Sequence, residues 1–346
     1  MHLRRQRDFS SEAGVSEILG VTMLLAMVVT IMGGLVVFLQ PFMQDLNDNR
    51  VWSSGSATAT GFNDRLLVVA GMPEGNGVSH IIGDVGSAID ALIGAEIWHF
   101  SADLSGQDRV SITIDATNVT IESMNGTAVT VRVILAGEEI ENWTLTNGTG
   151  TFELITDYRA LLEIEVLDRD DTIIHRSVRV SLDGLRMIHA MTRGTFTIDL
   201  TNGARHERLP NGLIDIRAFP RLEADIDLDG RNRVTLVLLD VDFNGRGSHN
   251  SNRVELISLG ALNLLESNSA RNLNLQMQIG GDSTLERQYI DHWSRDHDVY
   301  RATGDLDSYT GFGPDGRLSG IDGLTFHPSE ESIQLAVVLQ RIEVRV

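Results

Sequence analysis

The 346-residue chain has no cysteine, which excludes a disulfide framework, a thiolate zinc site and a cysteine nucleophile. It has no lysine either. All 28 basic side chains are arginine, set against 48 aspartates and glutamates, for a formal net charge of −20. Such a balance repels nucleic acid and anionic headgroups and keeps a surface hydrated, so no nucleic-acid partner is expected. A glycine-rich phosphate cradle and a His-Glu-x-x-His zinc motif are also missing. No cofactor and no enzymatic activity are expected. Hydrophobic residues make up 42% of the chain, ordinary for a globular protein, which argues against wholesale disorder.

Charge is absent from one long stretch. Ile18 to Gln44 is a run of 27 residues without a charged side chain, where about 20 suffice to cross the hydrocarbon core. Backbone groups in lipid must be satisfied internally, so the run is predicted to be helical. Arg4, Arg5 and Arg7 precede it, while the first charges beyond it are Asp45 and Asp48. The positive-inside rule then places the N-terminus in the cytoplasm and the remainder outside the cell. A cleaved secretory signal has a shorter apolar core and a small-residue cleavage site, which Leu39-Gln40-Pro41-Phe42 does not supply. A retained single-pass membrane anchor is the expectation.

The segment Glu12-Ala13-Gly14-Val15-Ser16-Glu17-Ile18-Leu19-Gly20, running into the apolar stretch, resembles the start of archaeal type IV pilin-like proteins, with their class III (prepilin-like) signal. The acidic, lysine-free composition is likewise similar to that of proteins from salt-loving archaea. The resemblance implies cleavage by a prepilin peptidase near Ala13, Gly14 and Val15, after Gly14 or after Ala13. It also implies assembly with other pilin-like subunits, homo- or hetero-oligomeric, through the hydrophobic helix. Glu17 would sit close to the N-terminus of the mature helix. There a carboxylate either complements the helix dipole at the membrane interface or meets a neighbouring subunit's amine inside an apolar bundle. The family's leaders carry Lys or Arg beside the cleaved residue, whereas here the neighbours are Ser10, Ser11 and Glu12.

Beyond the helix the chain reads as mainly β, an extracellular, antiparallel, β-sandwich-like head. Residues 1–14 form a basic leader, 15–44 the transmembrane helix and 45–95 a neck. The neck contains a small polar stretch from Ser53 to Gly61, a helix from Phe62 to Ala70 and a second short helix from Ile81 to Ile93. Residues 96–182 form a sandwich domain and 183–346 a second β-rich region. Alternation of period two marks strands at Arg109–Asp115, Ala128–Ile134, Leu161–Val166, Ser177–Leu182, Thr195–Leu200, Leu213–Arg217, Arg233–Phe243 and Ser332–Val346. Asn125-Gly126, Asn147-Gly148 and the polar run Asp168 to Asp171 read as turns. Residues 245–330 are rich in Gly, Asn, Asp and Ser and are expected to form long loops with one helix.

Four Asn-x-Thr sequons lie within 32 residues, at Asn118, Asn125, Asn142 and Asn147, and are glycan acceptors if the segment lies outside the cell. Asp225-Ile-Asp227-Leu-Asp229-Gly230 and Asp240-Val-Asp242-Phe-Asn244-Gly245 copy the opening of an EF-hand loop. Their twelfth positions hold Leu236 and Ser251 rather than the bidentate acid. Acid-faced strands ending in turns are the preferred reading, and no metal is expected. Gly281-Asp282-Ser283-Thr284 resembles the nucleophile block of one hydrolase family, with His292 and His297 downstream. Nothing supplies the α/β domain such a block opens, so these are expected to be loop residues. A structural or adhesive cell-surface subunit is therefore expected. The alternative is a non-polymerising anchored ectodomain that binds a ligand or partner through the loops of 245–330.

Overall fold

The computed structural model describes residues 10–81, 87–106, 108–115, 118–155, 159–226, 230–244, 253–280, 283–295, 306–312, 319–326 and 332–345. The chain is mainly β, with one long apolar N-terminal helix followed by a β-sheet domain.

The helix α1 (Ser10–Ala70) runs for 61 residues, about 90 Å at the usual rise. It continues straight through the expected neck. Ser53 to Gly61 is helical because every third or fourth residue there finds a partner surface. Gly55, Ala59, Phe62, Leu66 and Val69 are all buried, a stripe with the spacing of one helix face. A small polar stretch with weak intrinsic propensity is thus held helical by packing.

Two β layers form the body of the head. The first has the order β12 (Ile214–Ala218), β11 (Ala204–Arg208), β10 (Gly194–Thr201), β9 (Ile173–Met191), β2 (Ser87–Asp103), then the C-terminal part of β15 (Arg253–Ile279). The second continues from the N-terminal part of β15 through β18 (Ile333–Arg345) and β14 (Asn232–Asn244) to β13 (Arg221–Ile226). Strand β15 therefore belongs to both layers. Glu255 to Ala270 pairs with β18, and Arg271 to Ile279 pairs with β2. Register shifts after Ser258, Asn263 and Ser267 bend the strand between them, as bulges do where a strand changes sheet. Every described pair is antiparallel except β14–β18, which is parallel.

Three cores result. Between the layers, Trp98, Phe100, Val178 and Val180 meet Leu236, Leu238, Leu335 and Val337, closed by Tyr289 and Trp293 of α2 (Ser283–Ser294). Beneath α1, Phe62, Leu66 and Val69 cover Leu185, Met187, Phe196, Ile198, Val254 and Val344. At the far end, the small sheet β3 (Val110–Asp115), β4 (Asn118–Ser123) and β7 (Thr149–Glu153) faces β5 (Thr130–Leu135) and β8 (Leu162–Leu167). Strand β6 (Glu138–Thr144) extends that second sheet from β5. This end is a sandwich whose second sheet is continuous with the first layer, because β8 pairs with β9.

Three sequence expectations change. The helix expected over Ile81–Ile93 is replaced by strand among the described residues: β1 (Gly77–Ile81) ends where it would start, and from Ser87 to Leu92 the backbone pairs with β9. Residues 253–279 are not loop but the longest strand, at 27 residues. Helix α2 and the strands β16 (Leu306–Phe312) and β17 (Ser319–Phe326) occupy more of the remaining segment. Strand β9 runs without a break through Leu182, so the expected division at 182/183 falls inside an element.

Candidate functional site

The membrane-length half of α1 presents no buried face. From Ile18 to Leu46 every large apolar side chain is exposed, between 42% (Leu39) and 81% (Phe38). An exposed apolar surface of this length is unfavourable in water. Its two threonine hydroxyls are satisfied within the helix: that of Thr22 donates to Ile18 O at 3.0 Å and that of Thr30 to Ala26 O at 2.8 Å. Self-satisfaction of this kind is what a hydrocarbon environment demands. Residues 13–15, the expected processing segment, lie within the helical backbone, and Glu17 is exposed. The helix is compatible with a single membrane span.

The upper half of the same helix is fixed to the head by two parallel seams. One is the apolar stripe already described. Its tightest point is Gly55, where an added Cβ would lie 2.9 Å from the ring of His189 on β9. The other seam is polar. Trp52 stacks over the guanidinium of Arg217 at 5.9 Å, Ser56 donates to Glu207 at 2.6 Å, Arg205 donates to Thr60, and Asn63 donates to Gly203 O at 3.1 Å. Lower down, Asp48 accepts from the backbone of Thr192 at 2.7 Å and Asp45 pairs with Arg193 at 2.9 Å. These contacts climb the helix from Asp45 to Asn63 while β10 climbs from Arg193 to the Asn202-Gly203 turn. Helix and strand therefore run parallel along this seam.

All four sequon asparagines are exposed, and all belong to the distal sandwich. Asn118 opens β4, Asn142 lies on the edge strand β6, and Asn147 occupies a left-handed turn position with φ 54°. Asn125 follows β4 in a turn organised by Asp108. That carboxylate accepts from the backbone of Asn125 at 2.9 Å and of Thr127 at 3.2 Å, and from the hydroxyls of Ser123 and Thr127. Burial raises the Asp108 pKa, but these donors outweigh it and hold the group below its ordinary value.

The acidic motifs do not gather into a cation site. Asp225 pairs across the strands with Arg233 through two hydrogen bonds, at 2.9 and 2.5 Å, and Asp227 and Asp229 lie outside the described residues. Asp242 and Asn244 remain in β14, where Asn244 donates to Glu343 at 3.3 Å. Asp240 lies inside, accepting from Asp183 N at 2.9 Å. Burial pushes its carboxyl up to about 6, although that backbone donor and Arg341 oppose the shift. Among the described residues no group of three or more His, Asp or Glu is placed to hold a metal ion. His292 stacks on Phe219 with ring centroids 3.8 Å apart. Gly281, Asp282 and His297 lie outside the described residues.

One polar cluster has no counterpart in the sequence expectations. Glu96 is fully buried; it accepts from Trp98 Nε1 at 2.7 Å, Thr201 Oγ1 at 2.6 Å and Tyr289 OH at 3.5 Å. Tyr289 in turn meets His206 Nε2 at 2.6 Å. Burial raises the Glu96 pKa against the pull of those donors. Thr201 and His206 also line a cavity of about 90 Å³, together with the paired Arg186 and Asp199. The cluster ties β2, the β10–β11 turn and α2 into one body. The signal was legible: Glu96 has the same strand parity as Trp98, Phe100 and Ala102, and so lies on the core face. No protein family, characterised protein or solved structure matches the chain.

Proposed function

We propose that the protein is a membrane-anchored cell-surface subunit that acts by display and assembly rather than catalysis. In this reading its N-terminus is cytoplasmic, α1 crosses the membrane and the β head lies outside. The observation that carries the proposal is the division of α1. One unbroken helix is apolar and exposed all round for its first half and clamped to the head for its second. Arg4, Arg5 and Arg7 before the span and Asp45 and Asp48 after it support the orientation. The exposed apolar half also suits packing against copies of itself or against related subunits, with Gly33 and Gly34 open to close approach. That mode of assembly, with processing by a prepilin peptidase near Gly14 and a charge on Glu17 to set register, is what the likeness to archaeal type IV pilin-like proteins suggests. Glycans on Asn118, Asn125, Asn142 or Asn147 would then clothe the outermost part of the head. The elongated head also suits a second reading, a non-polymerising anchored ectodomain that binds a surface partner.

The test is N-terminal sequencing and intact mass of the protein from its own cells. A start at Gly14 or Val15, with mass added at the sequons, supports processing and assembly. A start at Met1 or His2 removes the pilin-like reading and leaves the anchored ectodomain.

A further inference from the structure

From the placement of two turns, we infer that the head rests on the membrane surface through the β9–β10 turn (192–193) and the β11–β12 turn (209–213), which contact the phospholipid headgroup layer. The inference rests on the proposed membrane span of α1.

The geometry starts at Gln44, the last residue of the uncharged run. Asp45 and Asp48 lie only about 1.5 and 6 Å further along the helix axis. The headgroup zone on each side of a bilayer is itself about 5–8 Å deep. Arg193 is held to Asp45 at 2.9 Å and Thr192 N to Asp48 at 2.7 Å, so the β9–β10 turn lies at headgroup depth. The second turn is carried beside it. An added Cβ on Gly194 would lie 3.1 Å from Pro210, and Arg208, the last residue of β11, pairs with Ile214, the first of β12. Pro210, Asn211, Gly212 and Leu213 therefore project from the same end of the sheet.

The chemistry suits that depth. Leu213, which closes the turn by accepting from Leu209 N at 2.9 Å, is a large apolar side chain 59% exposed. On the neighbouring β9–β10 turn Arg193 keeps 63% of its side chain exposed, a donor that matches lipid phosphate. An exposed apolar side chain on one turn and an exposed arginine on the next make a pattern suited to the headgroup–acyl boundary. The distal sandwich cannot share this contact. Strand β9 runs from Ile174 in the distal core to Met191 at the turn, about 55 Å at strand rise.

The absence of native cysteine makes the test clean. Single-cysteine variants Leu213→Cys, Phe38→Cys and Met124→Cys of the full chain are labelled with an environment-sensitive fluorophore. They are then reconstituted into phosphatidylcholine vesicles containing nitroxide-bearing lipid. The label at 213 is expected to shift to the blue and lose emission to headgroup nitroxide. The label at 38 should lose emission to acyl-chain nitroxide, and the label at 124, exposed on the distal sandwich, to neither. A label at 213 that behaves like 124 while 38 is quenched overturns the surface contact and leaves the membrane span intact. If 38 is unquenched as well, the span itself is wrong and the contact falls with it.

Discussion

Gly55 shows how one missing side chain sets the position of a whole helix. Its backbone lies against His189, which is fully buried and stacked on Phe196 with centroids 5.6 Å apart. Gly61, two turns on, has nothing within 4 Å of where a Cβ would be. The two glycines therefore predict opposite outcomes. Gly55→Val should destabilise the head by about 1–3 kcal/mol, the cost of overpacking. Gly61→Ala should be neutral or stabilise by up to about 1 kcal/mol, through helix propensity. Denaturant midpoints of the detergent-solubilised chain check both, and equal effects would show that the contact with His189 does not fix the helix. The sequence does not distinguish these glycines, because both sit in the same run of small polar residues. What separates them is the tertiary neighbour alone.

The elements differ in how far their residues announce them. Strands such as β5 and β14 alternate cleanly, since one face is core and the other is water, and their sequences follow that rule. The last strand, β18, is equally plain. By contrast β15 hides itself. Its bulges break the alternation, and Gly260, Asn263, Ser267, Asn268 and Ser269 are residues that strands disfavour. They suit a strand that must bend from one layer into the other. The upper half of α1 was half legible. The helix from Phe62 to Ala70 shows in the sequence, whereas its continuity with the apolar half depends on contacts with β9 and β10. Phe62→Ala should therefore cost about 3–5 kcal/mol. It should also speed hydrogen exchange in α1 above Asp48 and leave the apolar half unchanged. Slow exchange along the whole helix in that variant would mean that the apolar seam is not what holds it.

For the whole molecule, buried titratable groups decide how stability depends on pH. His99, held between Ser177 and Gln276, is pushed down to about 4, chiefly by burial, and His189 is pushed down by burial alone. Both stay neutral in the fold, while the unfolded chain takes up protons near the ordinary histidine value of 6.5. Stability is then fully present above that value and is lost as pH falls, for His99 down to about 4. Asp240 works in the other direction, since its carboxyl holds a proton up to about 6 and weakens the fold as pH rises through that range. His189→Leu should flatten the acid loss measured by thermal unfolding, and Asp240→Asn should steepen it. Curves parallel to the unmodified chain in both variants would assign the acid sensitivity to other groups. The placement of β18 carries a consequence for how the protein is made. It is the last strand in chain order, yet it lies between β14 and β15 and contributes Ile342 and Val344 to the core beneath α1, the first element. Neither the central layer nor the seat of the helix exists until residues 333–345 have been delivered. The core beneath α1 therefore closes last, and a chain cut short before Ile333 should keep the distal sandwich, whose core lies within residues 110–174, and lose the seat of the helix.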